Sequence, residues 1–141
     1  MGDFPTLSET NRVDLLRLNF WDIANPSQKM VEVEDPKLFN KDQADQIISF
    51  VNRNWDKINV LMVHCEAGLS RSPAIAAAIT YFKIGKDETQ WYFHKYMPNG
   101  FVYKTILEHY YGPHSVAVEE TEKMLSDVAY NVFDEPWDCK E

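Results

Sequence analysis

The chain has 141 residues, with 14 Lys and Arg against 22 Asp and Glu and a formal net charge of −8, which suits one acidic domain with its own core. That balance argues against a nucleic-acid partner, because no Lys/Arg stripe is present to neutralise a phosphate backbone, and any anion site must be positive locally. No apolar run approaches the length of a membrane span and the polar start MGDFPTLSET does not resemble a secretion signal, so no membrane partner is expected.

In chain order, the first twelve residues read as a loop. Val13 to Phe20 has the apolar content and partial alternation of a strand. A polar loop holding Pro26 and Pro36 is expected between Trp21 and Phe39. A helix follows, capped by Asn40 with Gln43 at the capping-box position, and Ala44, Ile47, Ile48, Val51 and Trp55 recur at helical spacing. Ile58 to Val63 is short and almost wholly apolar, the pattern of a strand buried on both faces. Pro73 to Phe82 is apolar nearly all round and predicts a buried helix with Pro73 in its first turn. Further helices are expected over 87–96, 100–111 and 115–133.

Strand, helix, strand, turn and helix in that order predict an α/β fold, a central and mostly parallel sheet flanked by helices, in a single domain spanning 1–141. Two strands are few for such a sheet. Either short strands escape the pattern, or the chain lacks N-terminal elements of a larger fold.

The segment His64-Cys65-Glu66-Ala67-Gly68-Leu69-Ser70-Arg71-Ser72 carries the chemistry. Backbone N–H groups of a tight loop at a helix N-terminus point inward and favour negative charge. Arg71 adds a planar fork able to hold two phosphate oxygens. The same environment lowers the pKa of Cys65 and makes it a nucleophilic thiolate. Gly68 permits a backbone geometry that a side chain would obstruct. Ser72 is expected to hydrogen-bond the sulfur, and His64 to fix the loop backbone. A reactive thiol needs a reducing compartment, and Cys139 lies in a polar tail away from any such loop, so the expected location is cytoplasmic with no disulfide.

This segment resembles the His-Cys-x-x-Gly-x-x-Arg-Ser signature of the protein tyrosine and dual-specificity phosphatases, with every fixed position kept. The resemblance extends from about Leu15 to Leu107, and only the loop is highly specific within it. It implies a protein tyrosine phosphatase-like fold and a phosphorylated protein or peptide as substrate. It also implies attack by Cys65 through a cysteinyl-phosphate intermediate, with no metal or other cofactor. A deep pocket would select phosphotyrosine, and a shallow one would admit phosphoserine and phosphothreonine. The loop residues Glu66, Ala67, Leu69 and Ser70 supply no positive charge, which disfavours inositol-phosphate headgroups and RNA triphosphate ends.

The ester oxygen that leaves needs a proton, and the family places an aspartate upstream of the cysteine for this. Asp22 follows the first strand, where a parallel sheet would gather its site, and Phe20-Trp21-Asp22-Ile23 resembles the acid-bearing segment of compact microbial members. Asp35 is the alternative, but in Asp35-Pro36 it has the look of a helix-start cap. Asp22 is favoured. Asn99, in Pro98-Asn99-Gly100-Phe101, resembles an asparagine that hydrogen-bonds the phosphate loop in dual-specificity members, and it also suits a simple turn. Two other classes stay open: a silent phosphopeptide-binding module, and a sulfur-transfer or arsenate-reducing cysteine enzyme.

Overall fold

The computed structural model describes residues 13–134, with side chains to residue 127. The opening twelve residues and Cys139 lie outside the described residues. Six helices follow one another: α1 Gln28–Glu32, α2 Lys41–Asn54, α3 Arg71–Lys83, α4 Gln90–Lys95, α5 Gly100–Tyr111 and α6 Val116–Asp134. Short 3-10 turns at Trp55–Lys57 and Lys86–Thr89 close α2 and lead into α4. Among the described residues no helix is long and apolar enough to cross a membrane.

The expected α/β fold with a central parallel sheet is not what forms: among the described residues the structure is all helical, with no strand. Neither run read as a strand joins a ladder, though side chains in both alternate in burial. In the first, Leu16, Leu18 and Phe20 face the core while Val13 and Leu15 are exposed. In the second, Leu61 and Val63 pack inward while Val60 and Met62 are 75% and 78% exposed, so one face is covered and not two. Alternation dictates an extended chain but cannot supply the neighbouring strand that a ladder requires. Side chains take that place in part. The carbonyl of Asn19 accepts from Gln43 Nε2 at 3.0 Å, and that of Phe20 from Arg71 Nη1 at 3.0 Å. Asp14 accepts from Asn54 Nδ2 at 2.8 Å, the Leu15 N–H at 2.8 Å and Arg53 Nε at 2.9 Å, tying the segment to the end of α2.

Helix starts follow local chemistry. The Asn40–Gln43 capping box forms in both directions, and α2 buries Ala44, Ile47 and Val51. The expected polar loop contains α1, capped by the Ser27 hydroxyl on the Met30 N–H. Asp35 starts a turn and not a helix, its Oδ1 accepting the Lys37 N–H at 2.9 Å.

The core centres on α5, which packs against α2, α3 and α6. It buries Val102, Tyr103, Ile106 and Leu107. Opposite them α3 presents Ala74, Ala77 and Ala78, all fully buried. Such small side chains let two helix backbones approach closely, which fixes where the N-termini of α3 and α5 lie relative to each other. The loop at Cys65 and the residue Asn99 are delivered by those two N-termini.

Candidate active site

Cys65 ends the second of the runs read as strands, and the loop 66–70 returns the chain to the first turn of α3. Gly68 has φ 68°, a left-handed conformation that a β-carbon would strain. This turn aims the Gly68 N–H at the Cys65 sulfur, 3.2 Å away. Ser72 approaches from the other side, with its N–H at 3.4 Å and its hydroxyl at 3.3 Å from Sγ. Partial burial by itself pushes the thiol up. The Ser72 hydroxyl, the N–H groups of Ser72 and Gly68 and the charge of Arg71 together outweigh it, and hold Cys65 below the ordinary thiol range.

Arg71 is the first residue of α3, with its side chain only 13% exposed. Nη1 donates to the Phe20 carbonyl, and Nη2 lies 3.7 Å from a carboxylate oxygen of the exposed Glu66. The guanidinium is therefore oriented by the chain just ahead of Asp22.

Asp22 is brought to the loop by contacts distant in sequence. Its Oδ1 accepts from the Ser70 hydroxyl at 2.8 Å and from Asn99 Nδ2 at 2.7 Å. The parallel sheet edge that suggested Asp22 does not exist among the described residues. Asp22 reaches the loop instead through the side chains of Ser70 and Asn99, while the Trp21 N–H beside it donates to the Lys37 carbonyl at 2.8 Å. Asp35 is not joined to the loop, and its carboxylate serves the turn at Lys37.

Asn99 is 1% exposed and does three things at once. Its N–H donates to the Ser70 carbonyl at 2.9 Å, its Oδ1 caps α5 by accepting the Val102 N–H, and its Nδ2 holds Asp22. Contact with the loop is thus made by the main chain of Asn99. The neighbouring Met97 N–H adds a second main-chain tie, to the Leu69 carbonyl. His64, expected to fix the loop backbone, is exposed and forms no hydrogen bond among the described residues.

Two partners of this site are not visible from the sequence: the Phe20 carbonyl on Arg71, and the Ser70 hydroxyl on Asp22. The second runs against a local rule, since a serine just before a helix ordinarily caps it. Among the described residues no group of three or more His, Cys, Asp or Glu side chains could hold a metal ion. A cleft of about 480 Å³ lined by Tyr81, Phe93, Tyr103 and Met124 contains none of the loop residues. Compared with protein-family models, curated proteins and solved structures, the chain finds no match.

Proposed function

We propose that this chain is a cysteine-dependent protein phosphatase acting on phosphotyrosine, with phosphoserine and phosphothreonine as further substrates if its pocket is shallow. One observation carries the reading. The Cys65 sulfur lies among the Gly68 N–H, the Ser72 N–H and the Ser72 hydroxyl, in the same loop as a mostly buried arginine. That support is local. It does not draw on the sheet that the resemblance implies.

In the first step the Cys65 thiolate forms a bond to phosphorus while the ester P–O bond breaks. The leaving oxygen takes a proton from the Asp22 carboxyl. In the second step water attacks phosphorus, the S–P bond breaks and a water proton returns to Asp22. Inorganic phosphate leaves and the thiolate is restored. Arg71 and the loop N–H groups hold the phosphoryl oxygens through both steps, where an oriented fork is worth most. The Ser72 hydroxyl steadies the sulfur as it departs.

Hydrolysis of an aryl phosphate by the wild type, Cys65→Ser, Asp22→Asn and Asp35→Asn, with no metal added, tests this reading. Cys65→Ser should abolish turnover and Asp22→Asn should lower it by about 10²–10⁴. Asp35→Asn should leave it within about threefold, since this carboxylate serves a turn. Activity persisting in Cys65→Ser refutes the function. Loss in Asp35→Asn with none in Asp22→Asn refutes the acid.

A further inference from the structure

We infer that Ser70 and Asn99 are positioning residues for the acid, a two-donor clamp that fixes which oxygen of Asp22 carries the transferred proton. The inference rests on the phosphatase reading and goes beyond it by giving the clamp a defined catalytic consequence. Both donors converge on one oxygen, Oδ1, at 2.8 and 2.7 Å. Whenever the carboxyl carries the proton to be transferred, Oδ1, occupied by two donors, is left as its carbonyl oxygen and the proton sits on Oδ2. Asp22 is exposed, and an exposed carboxyl without such partners would rotate and present either oxygen.

Two further features favour the clamp over incidental contact. Ser70 is the N-cap residue of α3, yet its side chain makes no capping bond, and its hydroxyl donates to Asp22 instead. Asn99 is almost wholly buried, and its N–H is bonded to the carbonyl of Ser70, the other donor. The two donors therefore form one rigid unit between the starts of α3 and α5. Acid and nucleophile loop move together, and proton transfer needs no separate closure of the segment bearing Asp22.

The test compares kcat/KM across aryl phosphates whose leaving phenols span a wide pKa range, with thermal midpoints for every variant. A working acid flattens the dependence on leaving group, and a misdirected one steepens it. Asn99→Ser keeps an oxygen able to cap α5 but removes the amide donor, and Ser70→Ala removes the hydroxyl. Each should lower kcat/KM about ten- to a hundredfold for phenyl phosphate and less than about threefold for dinitrophenyl phosphate. The double variant should match the slope of Asp22→Asn, and Ser70→Thr should restore the wild-type slope. A wild-type slope in both single variants, with altered thermal midpoints alone, overturns the clamp while leaving the phosphatase reading intact. An Asp22→Asn slope equal to wild type overturns the acid and the clamp together. No turnover by the wild type, or turnover by Cys65→Ser, overturns the phosphatase reading and the clamp with it.

Discussion

Replacing Ser72 by alanine removes one of the three hydrogen bonds to the Cys65 sulfur, the 3.3 Å hydroxyl contact, and leaves both N–H donors in place. A hydrogen bond to a charged group is worth about 1.5–3 kcal/mol, but the thiol is partly open to solvent, so about 1 kcal/mol is the reasonable share. That is about a fivefold smaller thiolate fraction at any pH below the midpoint. A more basic thiolate is also a better nucleophile, and with a Brønsted coefficient of about 0.4–0.5 it recovers roughly twofold. Alkylation by iodoacetamide followed against pH separates the two effects. Relative to wild type, Ser72→Ala should shift the midpoint upward, slow alkylation roughly two- to threefold at acid pH, and raise the alkaline plateau roughly twofold. The opposed changes cannot come from lost accessibility, which would lower both limbs. An unmoved midpoint in a folded variant would refute the claim that the hydroxyl stabilises the thiolate.

Two further predictions concern charge. Glu66 is 87% exposed and loosely paired with Arg71, so it competes with an incoming phosphate. Glu66→Gln should lower KM for an aryl phosphate about two- to fivefold at low ionic strength, with the advantage vanishing in high salt and kcat unchanged; an unaltered KM at low salt refutes the competition. Burial pushes the Tyr103 phenol up to about 12 from 10.0, with side-chain hydrogen bonds to Thr89 and Thr121 pulling the other way. Above pH 10 the unfolded chain releases a proton that the folded protein keeps. Stability is therefore whole below pH 10 and falls as pH climbs toward 12, by about 2–3 kcal/mol from this group. Between pH 9 and 11.5 the urea midpoint of wild type should fall relative to that of Tyr103→Phe, and parallel curves would exclude Tyr103 as the source.

What could be read from the sequence follows the range of the forces involved. The Asn40–Gln43 box, Pro73 in the first turn of α3 and the Gly100–Tyr111 helix rest on contacts within one turn, and all three appear where expected. The alternation in Val13–Phe20 is also local, and the alternating burial it implies is present. Whether an extended run becomes a strand is decided by another segment, and nothing in eight residues encodes that partner. The apolar run Ile58–Val63 carries the same limit, since apolar content does not say what lies opposite Val60 and Met62, which are exposed.

Within the site the same division holds. Cys65, Gly68, Arg71 and Ser72 lie close enough in the chain for one turn to set their geometry, whereas Asp22 meets Ser70 across 48 residues and Asn99 across 77. Of the three grounds for Asp22, the sheet edge is not formed among the described residues, and its place beside the loop comes from Ser70 and Asn99. The capping rule did better for Asp35, whose carboxylate is spent on the Lys37 N–H as its proline neighbour suggested, though in a turn and not a helix. Applied to Ser70, that rule fails, and the failure is informative. Pro73 at the third position of α3 has no N–H, so the Ser72 N–H is the one donor a Ser70 cap could take, yet that N–H is aimed at the Cys65 sulfur and the Ser70 hydroxyl at Asp22. A helix start that forgoes its own cap keeps its dipole and N–H groups available to an anion. Pro73 removes part of that local preference, and the contacts that replace the cap converge on the thiol and the acid that the proposed chemistry requires.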